Sequence, residues 1–125
     1  MNVKEDVLYL PSHEWVKIED DTAWIGISDY AQHALGDIVY VSLPDVDDQV
    51  DKGKSFCDIE SVKAVSDVYS PVSGVIVAVN QELEDTPEKL NEDPYATWIV
   101  KVKGTFDTSD LLDAQAYQEL LKQEG

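Results

Sequence analysis

Arginine is absent from this chain of 125 residues, cysteine and methionine occur once each, histidine twice and glycine only six times. Nine lysines therefore stand alone against 26 acidic side chains, for a formal charge of −17. Without guanidinium forks, and under a strongly negative field, the surface is unsuited to gripping a phosphate backbone or anionic lipid, which argues against nucleic acid and membrane as partners. Partners with basic docking surfaces are favoured, with an attraction that salt weakens. The lone Cys57 precludes an intrachain disulfide, and its place in the strand-like Ser55-Phe56-Cys57-Asp58-Ile59 predicts a buried core thiol. No apolar run approaches the roughly 18 residues that span a bilayer. The opening Met1-Asn2-Val3-Lys4-Glu5-Asp6 has neither a signal peptide's apolar segment nor a transit peptide's arginine-rich character. The expected location is cytoplasmic, or the mitochondrial matrix for a processed organellar form.

Catalytic equipment is equally sparse. His13 and His33 are the only bases titrating near neutral pH. His13-Glu14-Trp15-Val16-Lys17 begins like the zinc motif His-Glu-x-x-His but lacks its second histidine, so no metal site is expected. The glycines are scattered singly, without a phosphate loop, dinucleotide fingerprint or Gly-x-Ser-x-Gly elbow. Asp45, Asp47, Asp48 and Asp51 lack the glycine and terminal glutamate of a calcium loop and read as a solvated face. The pattern is that of a protein without an active site of its own.

What is present is a succession of short β segments. Trp15 to Ile18 and Thr22 to Ile27 flank the acidic turn Glu19-Asp20-Asp21, and Ser28 can cap a short helix closed by Gly36. Asp37 to Leu43, Lys54 to Ile59, Val65 to Tyr69, Val75 to Val79 and Trp98 to Val102 read as further strands. Thr86-Pro87-Glu88-Lys89-Leu90-Asn91 reads as one helical turn ending at the asparagine. From Ser109 the spacing of Leu112, Ala116, Leu120 and Leu121 predicts an amphipathic helix to about residue 123. Gly36-Asp37-Ile38-Val39-Tyr40-Val41 and Gly74-Val75-Ile76-Val77-Ala78-Val79 share Gly, Ile, Val and Val at matching places. The expected fold is mainly β: a flattened barrel-sandwich hybrid of two pseudo-symmetric β halves, with short helices and a C-terminal helix, in one domain with its core over about 9–103. Between the repeats, at a strand reversal, lies Lys63, where a side chain can project wholly into water.

A lysine at a hairpin tip, a near-symmetric β domain and no catalytic apparatus together resemble a lipoyl carrier. Glu60-Ser61-Val62-Lys63-Ala64 followed by Ser66-Asp67 is similar to the glycine cleavage H-protein family in particular, rather than to lipoyl domains with Asp-Lys-Ala or biotinyl domains with Met-Lys-Met. The similarity runs from Tyr9 to about Lys103 through Pro11-Ser12-His13-Glu14-Trp15, Gly26-Ile27, Ala31-Gln32, Leu35-Gly36-Asp37, Lys52-Gly53, Ser70-Pro71-Val72-Ser73-Gly74 and Asn91. The resemblance implies lipoic acid amide-linked to Lys63, with Glu60, Ser61, Val62 and Ala64 recognised by lipoate-attaching enzymes. It implies a non-enzymatic shuttle that takes an aminomethyl group from glycine decarboxylase to aminomethyltransferase and then presents dihydrolipoyl to dihydrolipoamide dehydrogenase. It further implies a cleft for the loaded arm at Ser12, Glu14 and Asp67.

One position departs from the pattern. Many family members have histidine directly before the Leu-Gly pair, where this chain has Ala34, and its own histidine stands one residue earlier. A one-residue shift on a helix turns a side chain by about 100°, so the family role does not pass to His33. Two other functions share the sequence pattern: a lipoate relay that supplies lipoyl groups to other enzymes, and an unmodified interaction module with an exposed Lys63.

Overall fold

The computed structural model describes residues 2–124. Its strands form two sheets. The larger has six strands, built from β1 (Leu8–Tyr9), β2 (Glu14–Glu19), β3 (Thr22–Ile27), β5 (Gln49–Val50), β8 (Gly74–Val79) and β9 (Val100–Lys103), in the order β1-β2-β3-β9-β8-β5. The smaller comprises β4 (Ile38–Ser42), β6 (Ser55–Ser61) and β7 (Val65–Tyr69), in the order β4-β6-β7. All pairings are antiparallel and neither sheet closes on itself, so β7 is left at an open edge.

Alternation along the strands explains the layering. Ala23, Ile25 and Ile27 of β3, Val100 and Val102 of β9, Ile76 of β8, and Val41, Ile59 and Val68 of the small sheet are buried in one cluster between the sheets. Cys57 joins that core as a free thiol, and burial pushes its ionisation well above the ordinary thiol range. The two copies of the Gly-x-Ile-Val pattern fall in different sheets, one entering β4 and the other forming β8, although the sheets are unequal in strand number.

Helix α1 (Asp29–Leu35) starts where expected, with the Ser28 side chain accepting from the Ala31 amide at 3.2 Å, and stops at Gly36 with φ of 77°. Two further short helices, α2 (Glu82–Asp85) and α3 (Lys89–Glu92), occupy the link between β8 and β9. Asn91 lies within α3 rather than closing a turn at Pro87. Helix α4 spans Ala114–Glu124, shorter than predicted at its start, because Asp113 accepts from the Ala116 amide and Ser109 is engaged by Asp107. It seats Tyr117 against Tyr9, stacked at 4.1 Å, in a second cluster with Val7, Trp15 and Ala114. None of the described helices is long and apolar enough to cross a membrane.

Candidate functional site

The β6–β7 hairpin carries Lys63 at the middle of its three connecting residues, Val62, Lys63 and Ala64. Ser61 closes it: its amide donates to the Ala64 carbonyl at 2.8 Å, and its hydroxyl accepts from the Lys63 and Ala64 amides at 3.3 and 3.1 Å. The Val62 amide donates to the Asp37 carbonyl at 3.0 Å, tying the tip to the segment between α1 and β4. Lys63 itself is exposed, as are Val62, Ala64 and Glu60. Its stem crosses Gly36, where an added Cβ would stand 3.2 Å from the Lys63 Cε. This glycine thus serves both a left-handed turn and the lysine lying over it.

Beside the hairpin is a cavity of about 300 Å³, bounded by α1 on one side and the open edge of β7 on the other. Its apolar lining includes Ile27, Leu35, Ile59 and Val68, and its polar end contains Ser12 and Glu14. Glu14 is only 2 % exposed, yet it forms none of the ion pairs found among the described residues. Its carboxylate accepts from the Ser12 hydroxyl at 2.5 Å and from the Tyr69 amide at 2.8 Å. Burial raises its ionisation above the ordinary glutamate range, and those two donors work in the opposite direction. Asp67 also borders the cavity, but its carboxylate accepts from Ser55 at 3.3 Å rather than joining Ser12 and Glu14.

Three neighbours of this cavity were not singled out for it by the sequence. Tyr30 and Ala31 come from the inner face of α1, and His13 from the loop before β2. His13 adopts φ of 83°, packs against Tyr30 with ring centroids 4.5 Å apart and the rings tilted by 32°, and bonds through Nδ1 to the Tyr117 hydroxyl at 2.8 Å and through Nε2 to Glu124 at 2.9 Å. Desolvation lowers its ionisation below the usual imidazole range against the pull of Glu124. No residue pattern announced this place for His13: its positive φ is held by tertiary contacts that come from distant parts of the chain. His33 is exposed and outside the cavity, whereas Ala34 lines it, the outcome expected from the one-residue offset. A larger, more open groove of about 680 Å³ beside Trp24, Tyr95 and Trp98 shares no residue with the Lys63 hairpin.

The whole arrangement has counterparts of known family. Residues 7–124 match the family model described as glycine cleavage H-protein. The chain is 56% identical to the glycine cleavage system H protein of Syntrophomonas wolfei, over 99% of this chain and 97% of that one. It is also 56% identical to a probable glycine cleavage system H protein of Thermococcus kodakarensis, over 96% and 92% of the respective chains. The crystal structure of a glycine cleavage system H protein from Mycobacterium marinum superposes with a TM-score of 0.90 at 38% identity, covering 96% of this chain and 99% of that one. On matches of this extent and identity, the chain belongs to the glycine cleavage H-protein family.

Proposed function

We propose that this protein is the lipoyl-bearing shuttle of a glycine cleavage system, with the whole chain forming one carrier domain and lipoic acid amide-linked to the Lys63 amine. The observation that supports this most directly is an exposed primary amine on a braced hairpin tip, beside a cavity whose apolar wall ends in a buried carboxylate. The residues fit such a group: the amine is accessible for acylation, and the cavity offers apolar surface to an alkyl arm. When bound, the lipoyl group supplies a disulfide that can be reduced and can carry a one-carbon unit.

The chain's own residues then have separable tasks. Ser61 and Val62 hold the tip, so enzymes that attach lipoate meet Lys63 in a defined orientation, with Glu60 and Ala64 beside it. Glu14 offers a buried negative charge to a cationic amine cargo and Ser12 orients that carboxylate, while Ile27, Leu35, Ile59 and Val68 exclude water around it. Asp67 contributes a second negative charge at the cavity's margin. Successive delivery to glycine decarboxylase, aminomethyltransferase and dihydrolipoamide dehydrogenase follows from tethering, which raises the local concentration of the reactive group at each docking site. Bacterial and archaeal relatives favour the cytoplasm as the place of action.

Intact mass of protein from its native host tests the attachment. Lipoylation adds about 188 Da at Lys63, and an unmodified chain from cells that lipoylate other proteins would overturn the reading.

A further inference from the structure

The Lys63 tip is braced from a distant part of the chain, through one peptide group. The peptide unit joining Asp37 to Ile38 faces two partners: its N–H, on Ile38, donates to Asn91 Oδ1 at 2.9 Å, and its C=O, on Asp37, accepts from the Val62 amide at 3.0 Å. Asn91 Oδ1, this peptide group and the Val62 N–H therefore form one hydrogen-bonded line, in which each bond polarises the next. Asn91 also grips the preceding turn, its Nδ2 donating to the Gly36 carbonyl at 2.9 Å and to Gln32 Oε1 at 3.0 Å. Gly36 is the residue over which the Lys63 stem lies. Both donor hydrogens and the carbonyl of the Asn91 amide are thus committed to the segment from α1 to β4, and α3 is rooted in the core by the fully buried Leu90.

We infer that Asn91 is a positioning residue for Lys63: through the Asp37–Ile38 peptide it sets the orientation of the hairpin tip, and through Gly36 it maintains the surface on which the lysine stem rests. The inference deepens the carrier reading and rests on it for its functional consequence. A purely structural asparagine would stabilise the fold and leave the tip no more mobile than the rest of the protein.

Two measurements on Asn91→Ala and Asn91→Asp separate these roles. Asn91→Asp retains an acceptor for Ile38 but loses both donors and faces the Gly36 carbonyl with an anion; Asn91→Ala loses every bond. Native-state amide exchange at Val62 is compared with that at Val102 in the core, using Ile76→Val as a control for general destabilisation. In Asn91→Ala, Val62 exchange rises about tenfold relative to Val102, as expected for local opening once the Asp37–Ile38 peptide that accepts from Val62 has lost its own anchor on Asn91, whereas the control leaves the ratio unchanged. The kcat/KM for Lys63 acylation, measured with a lipoate ligase, lipoic acid and ATP, falls about tenfold in both Asn91 variants while their far-ultraviolet spectra stay native. Exchange at Val62 that scales with Val102, or acylation within twofold of the parent, overturns the inference. A parent protein that the ligase does not acylate defeats the carrier reading instead, and Val62 exchange then still decides the brace.

Discussion

Glutamine at position 14 should make the protein more stable and a worse carrier at once. The Glu14 carboxylate is 2 % exposed and has two hydrogen-bond donors but no cation among the described residues, so at neutral pH it retains a desolvation cost that those donors offset only in part. An amide of nearly the same shape keeps an acceptor for the Tyr69 N–H, and the Ser12 hydroxyl can turn to accept from its NH₂. The pH dependence has a definite sign. Because the folded-state ionisation is raised, native protein holds its proton over a range in which the unfolded chain has released it. Stability attributable to this residue is therefore highest below the ordinary glutamate range of about 4.3, and it falls as pH rises through the raised folded value. Glu14→Gln removes that decline, so its advantage in denaturant unfolding is absent near pH 3 and present at pH 7. The effect on cargo runs the other way. Two unit charges about 4 Å apart interact by roughly 1 kcal/mol in water and roughly 4 kcal/mol at an effective dielectric constant near 20, and deep burial favours the upper part of that range. Losing the attraction to an aminomethyl cation should accelerate hydrolysis of the loaded protein by about tenfold or more, since about 1.4 kcal/mol is one decade in rate. The assay is release of ammonia and formaldehyde from lipoylated protein loaded with glycine by the decarboxylase. A folded Glu14→Gln variant whose loaded form hydrolyses within twofold of the parent would refute the electrostatic role.

Lys63→Arg keeps the positive charge but removes the acylatable primary amine, so it should show no lipoyl mass, no carrier activity and a melting temperature within about 2 °C of the parent, as expected for an exposed substitution. Gly26→Ala would put a Cβ 2.6 Å from the Trp15 ring, whose indole donates to the Pro94 carbonyl at 3.0 Å. Overpacking of about 1–3 kcal/mol plus about 1 kcal/mol for that bond should lower the melting temperature by about 8–15 °C for a domain of this size, and a fall of less than 3 °C would show that the ring relocates freely. His13 titrates with the opposite sign to Glu14: its cation is disfavoured in the fold, so acidification from pH 7 through about 6.5 protonates the unfolded chain first and costs stability. In His13→Gln, that loss on acidification below about pH 6.5 should vanish from urea midpoints, even with Glu124 and Tyr117 in place.

Local chemistry explains which features could be read from the chain. Ser28 and Gly36 announce α1 because a hydroxyl cap and a left-handed residue act over a few bonds, and β7 was delimited at Val65 and Tyr69 by its turn neighbours. The Lys63 hairpin was legible for the same reason. Leu8–Tyr9 was not, because two residues carry no period and this strand is defined by tertiary pairing, with Val16 and Trp15 on one side and with Leu112 on the other. Helix α2 was hidden in Glu82-Leu83-Glu84-Asp85, where only Leu83 reaches the core. At the candidate site, Ser12 and Glu14 are neighbours in sequence, but that the Glu14 carboxylate turns inward depends on Tyr69, 55 residues away. The path from Asn91 to Val62 runs through a main-chain peptide, which no residue type encodes.

Glu14 has one further consequence, for self-association. Strand β7 has a partner on one side only, and an open strand edge can template pairing with another copy of the chain. The Tyr69 N–H, which would start such a ladder, is already taken by a carboxylate inside the fold, with α1 standing across the cavity from the same edge. A second strand would have to displace that carboxylate and bring its own backbone past α1. The side chain proposed to shelter the cargo thus also guards a protein with an open sheet edge against polymerising through it.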